Sequence, residues 1–217
     1  MKPAMEATMQ TIYHYVLPTM ADWETGYAVA ELRSQRYFTQ RRAWQVKTVA
    51  ATRAPIVTMG GTTVVPDMTV DDITVREALL LILPGADTWR EAAHAPVIDK
   101  ARALVEAHVP VAAICGATAA LAEAGLLDRV KHTSNGLPFL KMTCPRYGGE
   151  RLYQDQLAVT DGDIITAGSS APVEFASHIL RRLNAMEPQN LEYWYGYFGR
   201  HSIESFLKLF EAMKSAR

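Results

Sequence analysis

Two stretches of this chain, ALLLIL at residues 78–83 and VPVAAI at 109–114, contain no polar side chain. Each is strand length and far short of the roughly 20 apolar residues that a membrane span needs. A strand with one wet face alternates apolar and polar residues. A run that is apolar throughout belongs to a strand covered on both faces, as in a parallel sheet between two helical layers. The remaining segments supply the other parts of such a fold. Residues 11–17 (TIYHYVL) and 44–51 read as further strands, and 56–59 and 62–65 as a hairpin around Gly60 and Gly61. Helical spacing predicts helices from Asp22 to about Phe38, over 95–107 with Pro96 in the first turn, and over 116–124 with Gly125 after it. A short strand is expected at 131–134, and a hairpin at 157–167 turning on Asp161 and Gly162. A helix follows over 172–183. Pro188 and Asn190 then break the chain, and two more helices follow at 191–198 and 203–213. Strands alternating with helices make this an α/β chain with a mostly parallel central sheet and a helical C-terminal appendage.

A chain of 217 residues, 49% of them hydrophobic, suits one domain spanning residues 1–217, with an extension at 1–10 and the appendage at 188–217. The formal net charge is −1 and the charges are dispersed, so neither nucleic acid nor a membrane is expected as a partner. Two cysteines make no disulfide framework, and no histidine or cysteine spacing fits a metal, so neither a metal nor a cofactor is expected. Residues 1–10 lack the apolar run of a signal peptide, and the expected location is the cytoplasm.

In an open parallel sheet, ligands bind where strands end at their carboxyl side. Four segments follow such ends: 18–24, 84–89, 115–118 and 133–135. The third carries the most distinctive chemistry. Cys115 lies between an apolar strand and a helix, within Ala113-Ile114-Cys115-Gly116-Ala117. Small residues two before and two after are what a nucleophile elbow requires, because the turn leaves no room for larger ones. The helix that follows aims its free N–H groups at the sulfur, which is expected to lower the thiol pKa. The plainer reading, a small core residue at a strand end, stands beside this one. Cys144 precedes Pro145 and has no elbow around it.

The run VPVAAICGATAALAEAGLLD resembles the nucleophile strand and helix of the DJ-1/PfpI family, of the class I glutamine amidotransferase-like superfamily. LILPGADTW resembles that family's Pro-Gly-Gly loop, with Ala86 for the second glycine, and VTMGGTTVVPD its hairpin. VKHTSNGLP and DGDIITAGSSAPVEFASHIL resemble its later strands and helix. The resemblance runs from about Thr11 to Leu183. It implies a flavodoxin-like three-layer sandwich, a small-molecule substrate and a homodimer. It also implies that Cys115 is the nucleophile, that Glu24 is a protonated partner of the sulfur, and that the amides of Ala86 and Gly116 bind an oxyanion. Two departures stand out. Asn135 takes the place where glyoxalase-like members carry histidine, and it can orient a substrate but cannot shuttle a proton. Gly116 stands where peptidase-like members carry histidine, which argues against a protease.

Other residues have plainer expectations. Asp22 reads as a helix cap, and Ser169 and Ser170 as caps of the helix near Pro172. His132 reads as structural. Trp89 is expected either to wall a pocket or simply to pack. The aromatics at 193–198 read as packing, with a dimer interface or a lid as alternatives. Family activities are diverse, so two functions are carried forward. One is a cysteine-dependent hydrolase or amidase-like enzyme acting on a small carbonyl or amide compound. The other is a non-catalytic, redox-responsive protein oxidised at Cys115. True glutamine amidotransfer ranks last, because no His-x-Glu pattern follows the cysteine near His178 or His201.

Overall fold

A computed structural model describes residues 9–215. The expected extension at 1–10 lies outside them, apart from its last two residues. The chain runs β1 (Gln10–Tyr15), α1 (Gly26–Ser34), β2 (Trp44–Ala50), β3 (Ile56–Val57), β4 (Thr63–Val64), β5 (Met68–Thr69), β6 (Ala78–Leu83), α2 (Ala95–Glu106), β7 (Val111–Ile114) and α3 (Gly116–Glu123). It continues with α4 (Leu137–Thr143), β8 (Ala158–Asp161), β9 (Ile164–Ala167), α5 (Pro172–Arg182), α6 (Pro188–Phe198) and α7 (Ile203–Ser215). Seven strands form one sheet in the order β5-β2-β1-β6-β7-β9-β8. All neighbours are parallel except β8 and β9, the hairpin predicted at Asp161-Gly162. The chain winds outward from β1 to β2 and then returns to β6 on β1's other side. The strand order therefore reverses between β1 and β6, where open α/β sheets leave a crevice.

Alternate residues of the apolar strands serve opposite faces. Ile12, Leu80, Ile82, Ala112 and Ile114 pack with Ala28 and Leu32 of α1, with Phe175 and Ile179 of α5, and with Trp194 of α6. Tyr13, Tyr15, Leu81, Leu83, Val111 and Ala113 pack with Val97 and Leu104 of α2, Leu121 of α3 and Leu140 of α4. This gives the three-layer, flavodoxin-like sandwich expected. Each Leu or Ile removed from water contributes about 1.5–3 kcal/mol, which explains why both faces of β6 and β7 are apolar. Leu191, Trp194 and Leu209 are buried in the same cluster as α1 and α5, so the terminal helices complete one of the helical layers.

Several local expectations need correcting. Asp22 does not cap α1, which starts later, at Gly26. Its carboxylate instead accepts from Thr58 Oγ1 at 2.6 Å and from Gly60 N at 2.6 Å, and so pins the β3-β4 hairpin to the loop after β1. Those two bonds hold its pKa below the ordinary aspartate value. Residues 131–134 form no strand, only a single bridge from His132 to Tyr153. Pro188 opens α6 instead of breaking the chain, a position where its missing N–H costs nothing. Neither Ser169 nor Ser170 caps α5, whose N-cap is Ala171. The helix α4 was not foreseen; it begins after Gly136, which sits at φ 133°. Among the described residues, no helix is long and apolar enough to cross a membrane.

Candidate active site

The strand β7 delivers Cys115 to the carboxyl edge of the sheet, and α3 starts at the next residue. Between them Cys115 takes φ 57° and ψ −124°, a backbone region that side chains other than glycine avoid. Holding a non-glycine residue there costs on the order of 1–3 kcal/mol, so the surroundings must fix it. They do so through several hydrogen bonds. Cys115 N donates to Ala167 O of β9 at 3.0 Å, and Thr118 N donates to Cys115 O at 3.0 Å. Thr118 Oγ1 also donates to Cys115 O at 2.6 Å and lies 2.6 Å from Ser134 Oγ. Thr118 has one hydroxyl proton, and the carbonyl takes it. Ser134 must therefore donate to Thr118, and a one-way chain runs from Ser134 through Thr118 to the elbow carbonyl. Ala113 and Ala117 are buried on either side, in the small positions the turn demands.

Two other strand-end segments and the loop at 133–135 converge on the sulfur. From the loop after β1, Glu24 enters with only 1% of its surface exposed. Its Oε2 accepts from Gly85 N at 2.6 Å, and Ala21 N donates to Gly85 O at 2.9 Å. Its Oε1 is buried and has no hydrogen-bond partner among the described residues. Gly85 is required by space alone: a Cβ there would lie 2.5 Å from Glu24 Oε2 and 2.9 Å from Cys115 Sγ. Asn135 completes the ring. Its Oδ1 accepts from Ser169 N at 2.8 Å, which fixes the amide so that Nδ2 donates to Cys115 Sγ at 3.2 Å. Ser169, expected as a cap, thus orients Asn135.

Electrostatically, Cys115 and Glu24 form one coupled pair. Burial pushes the Glu24 pKa up, against the pull of Gly85 N–H and the Cys115 thiol. Burial also pushes the Cys115 thiol up, opposed by Asn135 and reinforced by the charge of Glu24. The expected lowering by the helix N-terminus is therefore outweighed. Gly116 N–H does favour the thiolate, but dehydration and the adjacent carboxyl win. The two groups therefore titrate as a coupled pair, in which the charge on either one raises the other's affinity for its proton.

Ala86 N–H has no hydrogen-bond partner among the described residues and lies within 3.5 Å of where a Gly116 Cβ would stand. The Ala86 amide thus lies close to Gly116, whose own N–H faces the Cys115 sulfur. Trp89 is fixed by its Nε1 bond to Pro84 O at 2.8 Å and packs at a tilt against Tyr15 and His94, with its edge close over Gly116. It lines a cavity of about 1060 Å³ that runs from Ala86 and Gly116 between α2, α3 and α4.

The buried imidazoles are engaged elsewhere. His14 bonds Thr25 Oγ1 at 3.0 Å and is pushed by burial down to about 4. His94 bonds the Tyr15 hydroxyl, and His132 bonds Val130 O and Tyr147, as its structural reading predicted. Cys144 is buried against Ala119 O. Sequence reasoning missed the roles of Thr118 and Ser134 and assigned Ser169 a different one. A threonine three residues into a helix, able to bond back to the turn, was the one available signal for Thr118.

Known proteins share this architecture. The family model described as the DJ-1/PfpI family matches residues 10–182. A relative from Bacillus subtilis named uncharacterized protease YoaZ is 43% identical over 93% of this chain and 97% of its own. The crystal structure of a thiJ/pfpI family protein from Bacillus anthracis superposes with a TM-score of 0.89 at 44% identity, covering 94% of this chain and 98% of that one. A DJ-1 superfamily protein from Agrobacterium tumefaciens superposes with a TM-score of 0.78 at 31% identity, covering 89% and 100%. With the matched span taking in every strand of the sheet and the elbow cysteine with it, this chain belongs to the DJ-1/PfpI family.

Proposed function

We propose that the protein is a cysteine-dependent hydrolase of a carbonyl ester or amide, with Cys115 as nucleophile and Glu24 as its proton-handling partner. The observation that carries this is a buried carboxyl with an unpartnered oxygen coupled to a thiol on a strained elbow. The thiol passes its proton to Glu24, and the thiolate forms a bond to the carbonyl carbon. The oxygen takes the negative charge against the amides of Ala86 and Gly116. When the carbonyl re-forms, the bond to the leaving group breaks and Glu24 protonates that group. Glu24, now a carboxylate, takes a proton from water. The hydroxide attacks the thioester, the acid departs, and sulfur and carboxyl are left with their single proton. Asn135 holds the thiolate between these steps. A panel of p-nitrophenyl esters and amides assayed with wild type and Cys115→Ser tests this: turnover is expected to vanish in the variant, and equal turnover in both would exclude the mechanism.

A second reading is favoured by one observation. Among the described residues, no imidazole hydrogen-bonds the sulfur, so the site has no base near neutral pH other than Glu24. In that reading Cys115 is a redox-responsive thiol. Peroxide transfers one oxygen to the thiolate, forming a sulfenate and releasing water. Mass spectrometry after mild peroxide treatment would show oxidation confined to Cys115, and uniform oxidation of both cysteines would dismiss it.

A further inference from the structure

The loop after β1 carries two adjacent side chains with opposite fates. Glu24 is buried against Gly85. Trp23 keeps 52% of its surface exposed. A tryptophan so exposed adds little to the core. Its indole N–H is nevertheless committed: Nε1 donates to Ser169 O at 3.3 Å, across 146 positions of sequence.

Ser169 lies in the turn that joins β9 to α5, closed by a bond from Ala171 N to Gly168 O at 3.0 Å. Among the described residues it makes two hydrogen bonds, and both run to side chains from distant segments. Its carbonyl accepts from Trp23. Its N–H donates to Asn135 Oδ1 at 2.8 Å, and Asn135 Nδ2 donates to Cys115 Sγ at 3.2 Å. Each link from the exposed indole donates toward the sulfur.

The Asn135 amide is the link that acts on the chemistry. Turned one way it offers the sulfur an N–H, which favours the thiolate. Turned the other way it offers a carbonyl oxygen, which repels it. Ser169 N–H selects the first orientation, because a donor there needs Oδ1. That selection lasts only while Ser169 stays in place. Exposed turns are mobile unless something ties them, and apart from Asn135 the tie on Ser169 is Trp23.

We propose that Trp23 is a positioning residue: its indole N–H fixes Ser169, Ser169 fixes the Asn135 amide, and the amide presents its N–H to the Cys115 sulfur. The loop after β1 thus acts on the sulfur twice. Glu24 opposes the thiolate by its charge, and Trp23 favours it through Asn135. The inference needs only the thiolate that both readings of the site share.

The test follows alkylation of Cys115 by iodoacetamide across pH, with the modified cysteine located by mass spectrometry, and reads the midpoint of the rate profile. Asn135→Leu keeps the side chain's bulk without donor or acceptor and should raise the midpoint by about one pH unit. Trp23→Phe keeps an aromatic ring without the N–H and should raise it by about half a unit, less because the bond is long and acts at one remove. The double variant should go no higher than Asn135→Leu alone, since Trp23 acts through Asn135. Trp23→Gln restores a donor without the ring and should bring the midpoint back toward wild type. A merely structural role would lower the melting temperature and leave the midpoint in place. An unmoved or lowered midpoint in Trp23→Phe overturns the proposal. So does a shift that persists in the Asn135→Leu background, which would place the effect on neighbouring Glu24. A glutamine variant shifted as far as the phenylalanine one overturns it as well. Trp23→Met replaces the phenylalanine variant in the same comparison if that one does not fold. Ester turnover plays no part, so failure of the hydrolase reading leaves this test standing.

Discussion

Replacing Gly85 by alanine adds one methyl group at the point where three elements of the site meet. The new Cβ would stand 2.5 Å from Glu24 Oε2, 2.7 Å from Cys115 Cβ and 2.9 Å from Cys115 Sγ, each closer than carbon can approach. Gly85 is anchored on both sides, its N–H by Glu24 and its carbonyl by Ala21, so the backbone cannot withdraw without breaking one of those bonds. The elbow cannot withdraw either, because Thr118 and Ala167 hold Cys115. Inserting a methyl group into a site this constrained costs about 1–3 kcal/mol. In a chain of this size that lowers the melting temperature by roughly 2–4 °C per kcal/mol, or about 4–8 °C for the middle of the range. The carboxyl and sulfur are forced apart, so iodoacetamide alkylation of Cys115 and its pH dependence should change as well. Circular dichroism melts and alkylation rates measured side by side check this. Unchanged melting and an unchanged alkylation profile would refute the claim that Glu24 and Cys115 close around this glycine.

Glu24→Gln keeps the shape and removes the charge that helps hold the thiol protonated, so alkylation of Cys115 at neutral pH should quicken while ester turnover falls about 100-fold or more; alkylation and turnover that rise or fall together would contradict the coupled pair. Buried His14 is held down to about 4, so the unfolded chain binds that proton first as pH drops below about 6.5. Its contribution is complete above pH 6.5 and is lost as pH falls toward 4, up to about 3 kcal/mol, and urea midpoints across that window should flatten in His14→Gln. Arg36 bonds the fully buried Glu31 while remaining 48% exposed itself, so Arg36→Met strands a buried carboxylate and costs about 3 kcal/mol by urea denaturation, at the low end for a buried pair. Much of that loss should return in the double variant with Glu31→Leu.

The sheet was legible because burial on two faces leaves a compositional mark. The runs at 78–83 and 109–114 had no other economical explanation, and the structure places them side by side as β6 and β7. Cys115 was legible as well, once strand ends were taken as the place for a site, whereas Glu24, Ala86, Gly116 and Asn135 were expected there only through the family resemblance. What was illegible lay in side-chain partnerships across the chain. Asp22 looks like a cap locally, but Thr58 and Gly60, more than 30 residues away, compete for its carboxylate and win. The charge state of Cys115 was misjudged for a related reason. The helix N-terminus is visible in sequence, whereas the dehydration that outweighs it is a property of the packed interior. The strand expected at 131–134 failed because Thr133 N donates to the Thr166 side chain instead of to a ladder carbonyl, while Thr133 Oγ1 donates to Gln156 O.

The backbone at Cys115 has a consequence for how this chain tolerates drift. At φ 57° glycine is at ease and cysteine is not, so Cys115→Gly should make the fold more stable while abolishing every sulfur-dependent property. Thermodynamics alone would steadily erode the thiol in favour of hydrogen at this position. A lineage released from the need for its reactive sulfur has a downhill path open to it, and glycine at the elbow of a relative would be the sign that it had taken that path.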